Sequence, residues 1–164
     1  MIALVIAAGF GVSSARADIN TINKSIWGMH FGVTASQIAD TNWLAADSDG
    51  DGLKNSDEVA AGTNPFAAGS VVAVNSITAD ETTVSLSFTS AEFKQYVLQG
   101  SPNLNNASFT NISGPVTGSG GTLDFNGITK GTNKFFRVLV QDIDTDSDGV
   151  SDWAEEIAGY NPNS

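Results

Sequence analysis

Asp47, Asp49 and Asp51 alternate along the chain, Gly52 follows directly, and Glu58 comes six residues later; Asp144, Asp146, Asp148, Gly149 and Glu155 repeat the arrangement 97 residues on. Both stretches satisfy D-x-[DN]-x-[DN]-G-x₅-E at every position. The chemistry behind this spacing is that of a hard divalent cation. Ca²⁺ takes six to eight oxygen ligands at about 2.3–2.6 Å, and alternate residues of a tight loop supply them. In the first loop Asp47, Asp49 and Asp51 surround one centre, and Gly52 permits the reversal that turns the Leu53 carbonyl inward. Asn55 then ligates directly or through water, and Glu58 closes the shell with both oxygens. The second loop offers Asp144, Asp146, Asp148, the Val150 carbonyl, Asp152 and Glu155 in the same roles. Mg²⁺ suits the pattern less well, because its octahedral shell retains several waters. At least two Ca²⁺ per chain are therefore expected.

The composition agrees. The 164 residues carry 7 Lys and Arg against 18 Asp and Glu, a formal charge of −11, which is the wrong sign for nucleic acid or an anionic lipid surface. Eleven of those acids fall in the windows 47–58 and 144–156, whereas a merely solvated surface would scatter them. With no cysteine and one histidine, His30, thiolate and histidine-rich metal sites are excluded, and oxygen-bound cations remain.

Asp47–Pro65 and Asp144–Pro162 share nine identities in nineteen gapless positions, so each loop and the short segment after it form an internal duplication. Each copy continues as a short helix closed by Gly62 or Gly159 in a left-handed cap, with Pro65 or Pro162 as a stop. A sensor EF-hand also needs a long helix before its loop, yet Asp144 follows the strand-like Phe135-Phe-Arg-Val-Leu-Val-Gln. Position eight, normally apolar where two loops pair, is Lys54 in one copy and Ser151 in the other. These features imply a fixed structural ion rather than a calmodulin-type switch.

At these residues the sequence resembles bacterial thrombospondin type 3-like calcium repeats, with D-x-D-x-D-G followed by an acidic short helix and G-[TY]-[ND]-P. The resemblance covers about 38 residues. Dockerins share the loop but place two copies close together, and the 97-residue separation argues against them. More loosely, the chain looks like small exported bacterial proteins in which a segment such as Trp27-Gly-Met-His-Phe31-Gly leads into a first calcium loop, a β module and a second loop. That wider resemblance implies no catalytic activity.

Four segments are expected. Residues 1–17 form an apolar run ending in the A-x-A pattern Ala15-Arg16-Ala17, too short to span a bilayer, and read as a signal peptide. A retained apolar helix of pilin type is the other reading, although Val5 stands where such proteins usually carry glutamate. Residues 18–69 hold the first loop, 70–142 a β module and 143–164 the second loop with its helix. Within the module, Thr83-Val-Ser-Leu-Ser-Phe-Thr alternates strictly, placing Val84, Leu86 and Phe88 on one face. Residues 71–77, 95–99, 121–125 and 134–140 give further strands separated by Gly, Asn and Pro clusters. The expected class is all-β, an antiparallel immunoglobulin- or fibronectin-like sandwich flanked by two calcium loops with short helices. A small open barrel is the alternative.

No nucleophile elbow, HExxH or Walker loop occurs, and Gly118-Ser-Gly-Gly121 lacks the Lys-Ser/Thr of a phosphate cradle and reads as a hairpin. No catalytic or organic cofactor site is assigned. Trp27 and Phe31 read as a packing or docking patch. Trp43, Trp153 and Tyr160 flank the loops, as local packing or as a sugar-stacking platform. The functional expectation is a non-enzymatic, secreted or cell-surface structural protein, a subunit or adhesive spacer of a filament or matrix. Its partners would be calcium, copies of itself, a surface protein or a polysaccharide, with no membrane contact after signal removal. A carbohydrate-binding accessory module and a pilin-like subunit are the alternatives. Trp153, Ile157 and Tyr160 on the last helix need a cover, from the same chain or from a neighbour.

Overall fold

The computed structural model describes residues 3–4, 7–8 and 16–164, with side chains from residue 21 onward. The expected export segment 1–17 falls largely outside the described residues. Among these, no helix is long and apolar enough to cross a membrane. The chain divides into two units: residues 72–141 with the short N-terminal strands, and residues 16–71 with 142–164.

The first unit holds two sheets. Strands β1 (Ala3–Leu4) and β2 (Ala7–Ala8) pair in parallel with β9 (Phe135–Asp142). Next to β9 lies β5 (Lys94–Ser101), whose far side is met by the two-residue strands β6 (Thr110–Asn111) and β7 (Val116–Thr117). The second sheet orders β3 (Val74–Ala79), β4 (Thr83–Thr89) and β8 (Thr122–Thr129), all antiparallel. Strand β4 buries every second residue, Val84, Leu86 and Phe88, as its period-2 pattern requires. The Phe88 ring lies 5.5 Å from Phe125 in its own sheet and 5.1 Å from Tyr96 in the other, so the sheets meet through apolar faces. Arg137 on β9 donates from Nε to Gln99 Oε1 at 2.7 Å and from Nη1 to Asn106 Oδ1, and its guanidinium lies 4.4 Å over Phe109. It pins the 3₁₀ turn Asn106–Ser108 beside the sheet.

The second unit is helical. Helix α1 (Arg16–Phe31) ends at Gly32, whose φ of 74° no side-chain-bearing residue adopts cheaply. Helix α2 (Ala35–Ala39) starts at a capping box in which the Thr34 side chain accepts the Gln37 N–H and Gln37 reaches back to the Thr34 N–H. Asp40 Oδ1 caps α3 (Thr41–Ala45) by accepting the Asn42 N–H at 2.8 Å. Helices α4 (Asn55–Ala61) and α5 (Asp152–Ala158) follow the two acidic loops and close on Gly62 and Gly159 at φ 75° and 78°. These are the left-handed caps that the duplicated sequence implies.

Four expectations are corrected. The molecule combines helices with largely antiparallel sheets, β1 and β2 being the parallel exception, and is not all-β, because α1, α2 and α3 precede the first loop. Helix α1 escapes sequence reading because Asn, Thr, Ser and Gly are weak helix formers, and its stability comes from burying Trp27. The sheets also do not amount to a defined immunoglobulin-like sandwich, since one edge of the β5 sheet is broken into two fragments. The sheets share no strand among the described residues, so they do not form an open barrel either. Gly118-Ser-Gly-Gly121 is no hairpin: it joins β7 in one sheet to β8 in the other.

Candidate metal centres

In the first loop the carboxylates are aimed inward by their own backbone. Asp47 accepts the Gly50 N–H on Oδ1 at 2.7 Å and the Gly52 N–H on Oδ2 at 3.0 Å. Asp49 Oδ1 accepts the Asp51 N–H at 3.1 Å, and Asp51 Oδ1 accepts the Leu53 N–H at 2.7 Å. One carboxylate oxygen from each of the three lies within 4.8 Å of the others. The tight path needs Gly50 at φ 80° and Gly52 at φ 97°, both in the left-handed region. Helix α4 then brings Glu58 under the loop, fully buried.

Four buried oxygens of this loop have no hydrogen-bond partner among the described residues: Asp49 Oδ2, Asp51 Oδ2 and both oxygens of Glu58. Burial, followed by the charges of Asp49, Asp51 and Asp47, raises the Glu58 carboxyl from 4.5 to about 7, against a smaller opposing pull from the neighbouring Thr63 hydroxyl, which stops short of a hydrogen bond. Buried polar atoms are ordinarily satisfied, so a converging set of orphaned anionic oxygens is incomplete without a cation. The donor set, all oxygen and mostly carboxylate, fits Ca²⁺.

The second loop repeats the design. Oxygens of Asp144, Asp146 and Asp148 gather within 4.8 Å of one another. Asp146 Oδ1 accepts the Asp148 N–H at 3.1 Å, Asp148 Oδ1 the Val150 N–H at 2.8 Å, and Asp144 Oδ2 the Gly149 N–H at 3.1 Å. Glu155 on α5 is buried with Oε2 unpartnered among the described residues, and its carboxyl is raised by burial and then by Asp146, Asp148, Asp152 and Asp144. Ser147 adopts φ 62° where the first loop has glycine.

Position nine is engaged differently from the rest. Asn55 Oδ1 accepts the Ser48 N–H at 3.2 Å, and its Nδ2 donates to the Trp43 carbonyl at 2.7 Å. Asp152 accepts the Thr145 N–H on Oδ1 at 2.7 Å and the Thr145 hydroxyl on Oδ2 at 2.6 Å. In both copies this side chain holds the start of the loop against its end.

Both loops belong to the same unit, and α1 touches both repeats. Trp27 is buried and donates from Nε1 to the Thr63 carbonyl at 2.8 Å, just past the cap of α4. Asn23 Oδ1 accepts the Ser151 N–H at 3.1 Å, across 128 residues of sequence. Trp43 lies 6.5 Å from Trp27, and Trp153 stacks at 6.4 Å on Phe31 with His30 against its edge. Trp27 and Phe31 are thus a packing patch. Trp153 is covered by α1 of its own chain, while Ile157 and Tyr160 stay exposed. Of the three aromatics proposed as a sugar platform, only Tyr160 is open to solvent. Sequence reading passes over Asn23, for which no motif or spacing gives a sign.

No curated protein and no solved structure matches this chain. The family described as bacterial TSP3 repeat matches it twice, over residues 47–68 and 144–164. Each match starts at the first aspartate of an acidic loop and runs through the helix, the glycine cap and the proline, so the two loops with α4 and α5 are a pair of bacterial TSP3 repeats.

Proposed function

We propose that this chain is a non-enzymatic calcium-binding structural module that works outside the cell, taking one Ca²⁺ in each repeat. The carrying observation is the buried, unpartnered Glu58 carboxylate set against three aspartates, with Glu155 in the matching place. The ligands in this reading are Asp47, Asp49, Asp51, the Leu53 carbonyl and Glu58, and Asp144, Asp146, Asp148, the Val150 carbonyl and Glu155. Asn55 and Asp152, at position nine, complete the shells directly or through water, and the same side chains brace the loops by serving Ser48, Trp43 and Thr145. The millimolar calcium of extracellular fluids matches the affinity of such modules, about 10⁻⁴ to 10⁻³ M. The TSP3 repeats, typical of extracellular proteins, support the same setting. A role as a subunit or spacer of a surface assembly is supported by the exposed Ile157 and Tyr160 on the terminal helix and cap.

Titration calorimetry on the full chain tests the metal assignment: wild type takes up two ions, and Asp49→Ala and Asp146→Ala each take up one. Equal stoichiometry in all three proteins overturns it. Sedimentation with and without calcium tests the assembly role, with calcium-dependent association that Tyr160→Ser weakens as the expected result. A monomer under all conditions, with no binding to cell envelopes, leaves the calcium module and removes the assembly.

A further inference from the structure

Helix α1 is the element that the two repeats have in common. Asn23, Trp27 and Phe31 recur every fourth residue and so lie along one face of it. Trp27 holds the Thr63 carbonyl, and the Thr63 N–H donates at 3.1 Å to the carbonyl of Glu58, whose side chain faces the first loop. Asn23 holds the N–H of Ser151, which precedes α5 and caps it by accepting the Ala154 N–H on Oγ. That helix carries Glu155 into the second loop. In paired EF-hands, position eight of one loop meets its counterpart; here a side chain of α1 takes the position-eight N–H instead. Phe31 stacks on Trp153 one turn further along.

We propose that Asn23 and Trp27 are positioning residues that couple the two cation loops through α1, so that filling either loop raises the affinity of the other. This rests on the calcium reading above. The segment 16–31 is rich in weak helix formers, so seating it against the repeats carries an ordering cost. The first ion to bind meets that cost by fixing one repeat against α1. The second ion then finds its own repeat already positioned, which is positive coupling.

The experiment is Ca²⁺ calorimetry on the full chain, with circular dichroism at saturating calcium to verify folding of each variant. Asp49→Ala lowers the affinity of the second loop by about 5- to 100-fold, and Asp146→Ala lowers that of the first by the same factor, as linkage demands. Adding Asn23→Ala, which removes the acceptor, or Trp27→Phe, which removes the N–H donor together with part of the buried ring, brings the factor close to one. Asn23→Asp keeps the acceptor oxygen and restores it. Two ions binding independently in the wild type overturn the coupling while leaving the calcium reading intact, and a coupling factor that the Asn23 and Trp27 variants leave unchanged overturns the role of those two residues. Failure of the wild type to bind calcium overturns both.

Discussion

Glu58 sits where an uncompensated charge is costly, and the sign of its titration reflects that. Its folded-state value of about 7 lies above the ordinary 4.5, so the metal-free fold holds the proton more tightly than the unfolded chain does. Its contribution is fully present below pH 4.5 and is lost as pH rises through about 7, and Glu155 shifts in the same direction. The metal-free protein should therefore melt higher at pH 5 than at pH 7.5, and calcium should reverse the order; scanning calorimetry in EDTA and in calcium measures both. Glu58→Gln removes the charge but keeps the shape. It should raise the melting temperature in EDTA and weaken calcium binding at the first loop by at least the roughly 10- to 100-fold that loss of a supporting group alone costs. Ser147 pays for a left-handed φ of 62° that Gly50 adopts freely at the equivalent position. Ser147→Gly should stabilise the second repeat by about 0.5–1 kcal/mol, and Gly50→Ser should cost the first a similar amount, as denaturant melts would show.

At the scale of elements, the helices of the loop unit touch too closely to admit a methyl group. A Cβ on Gly28 of α1 would lie 2.4 Å from Ile38 Cδ1 of α2 and 3.0 Å from the Val33 carbonyl oxygen. Although alanine favours a helix in isolation, Gly28→Ala should destabilise the protein by about 1–3 kcal/mol through overpacking. Since the Val33 oxygen belongs to backbone that cannot step aside, Ile38→Val added to Gly28→Ala should recover only part of the loss. In the sheet unit, a Cβ on Gly118 would fall 1.8 Å from the Ala91 carbonyl oxygen and 2.9 Å from the Tyr96 ring. Gly118→Ala should cost at least as much, read as a fall in the denaturant midpoint. The β7–β8 link thus uses glycine for close approach, a need that hairpin chemistry does not reveal in the sequence.

For the whole molecule, the tryptophans offer a selective probe. All three, Trp27, Trp43 and Trp153, lie in the unit that holds both loops, while Tyr96 lies in the sheet unit. Removing calcium should shift tryptophan emission to longer wavelength at temperatures where the far-ultraviolet β signal persists; loss of both signals at one temperature would show a single cooperative fold instead. Much of the local chemistry was legible from residue order alone. The glycine caps at Gly62 and Gly159 and the buried face of β4 each depend on neighbours within about a dozen residues, and spacing encodes such neighbours directly. The aspartate triads, with their oxygens within 4.8 Å, are local in the same sense. The contacts that tertiary structure alone decided are non-local. Asn23 meets Ser151 across 128 residues, Trp27 meets Thr63, and Trp153 is buried on Phe31, joining both repeats to one helix. None of these pairs leaves a periodic trace: Asn23–Ser151 and Phe31–Trp153 depend on the chain returning after the whole β module, Trp27–Thr63 closes across the first loop and its neighbouring helices, and α1 becomes a helix by burying Trp27 rather than by its own propensity.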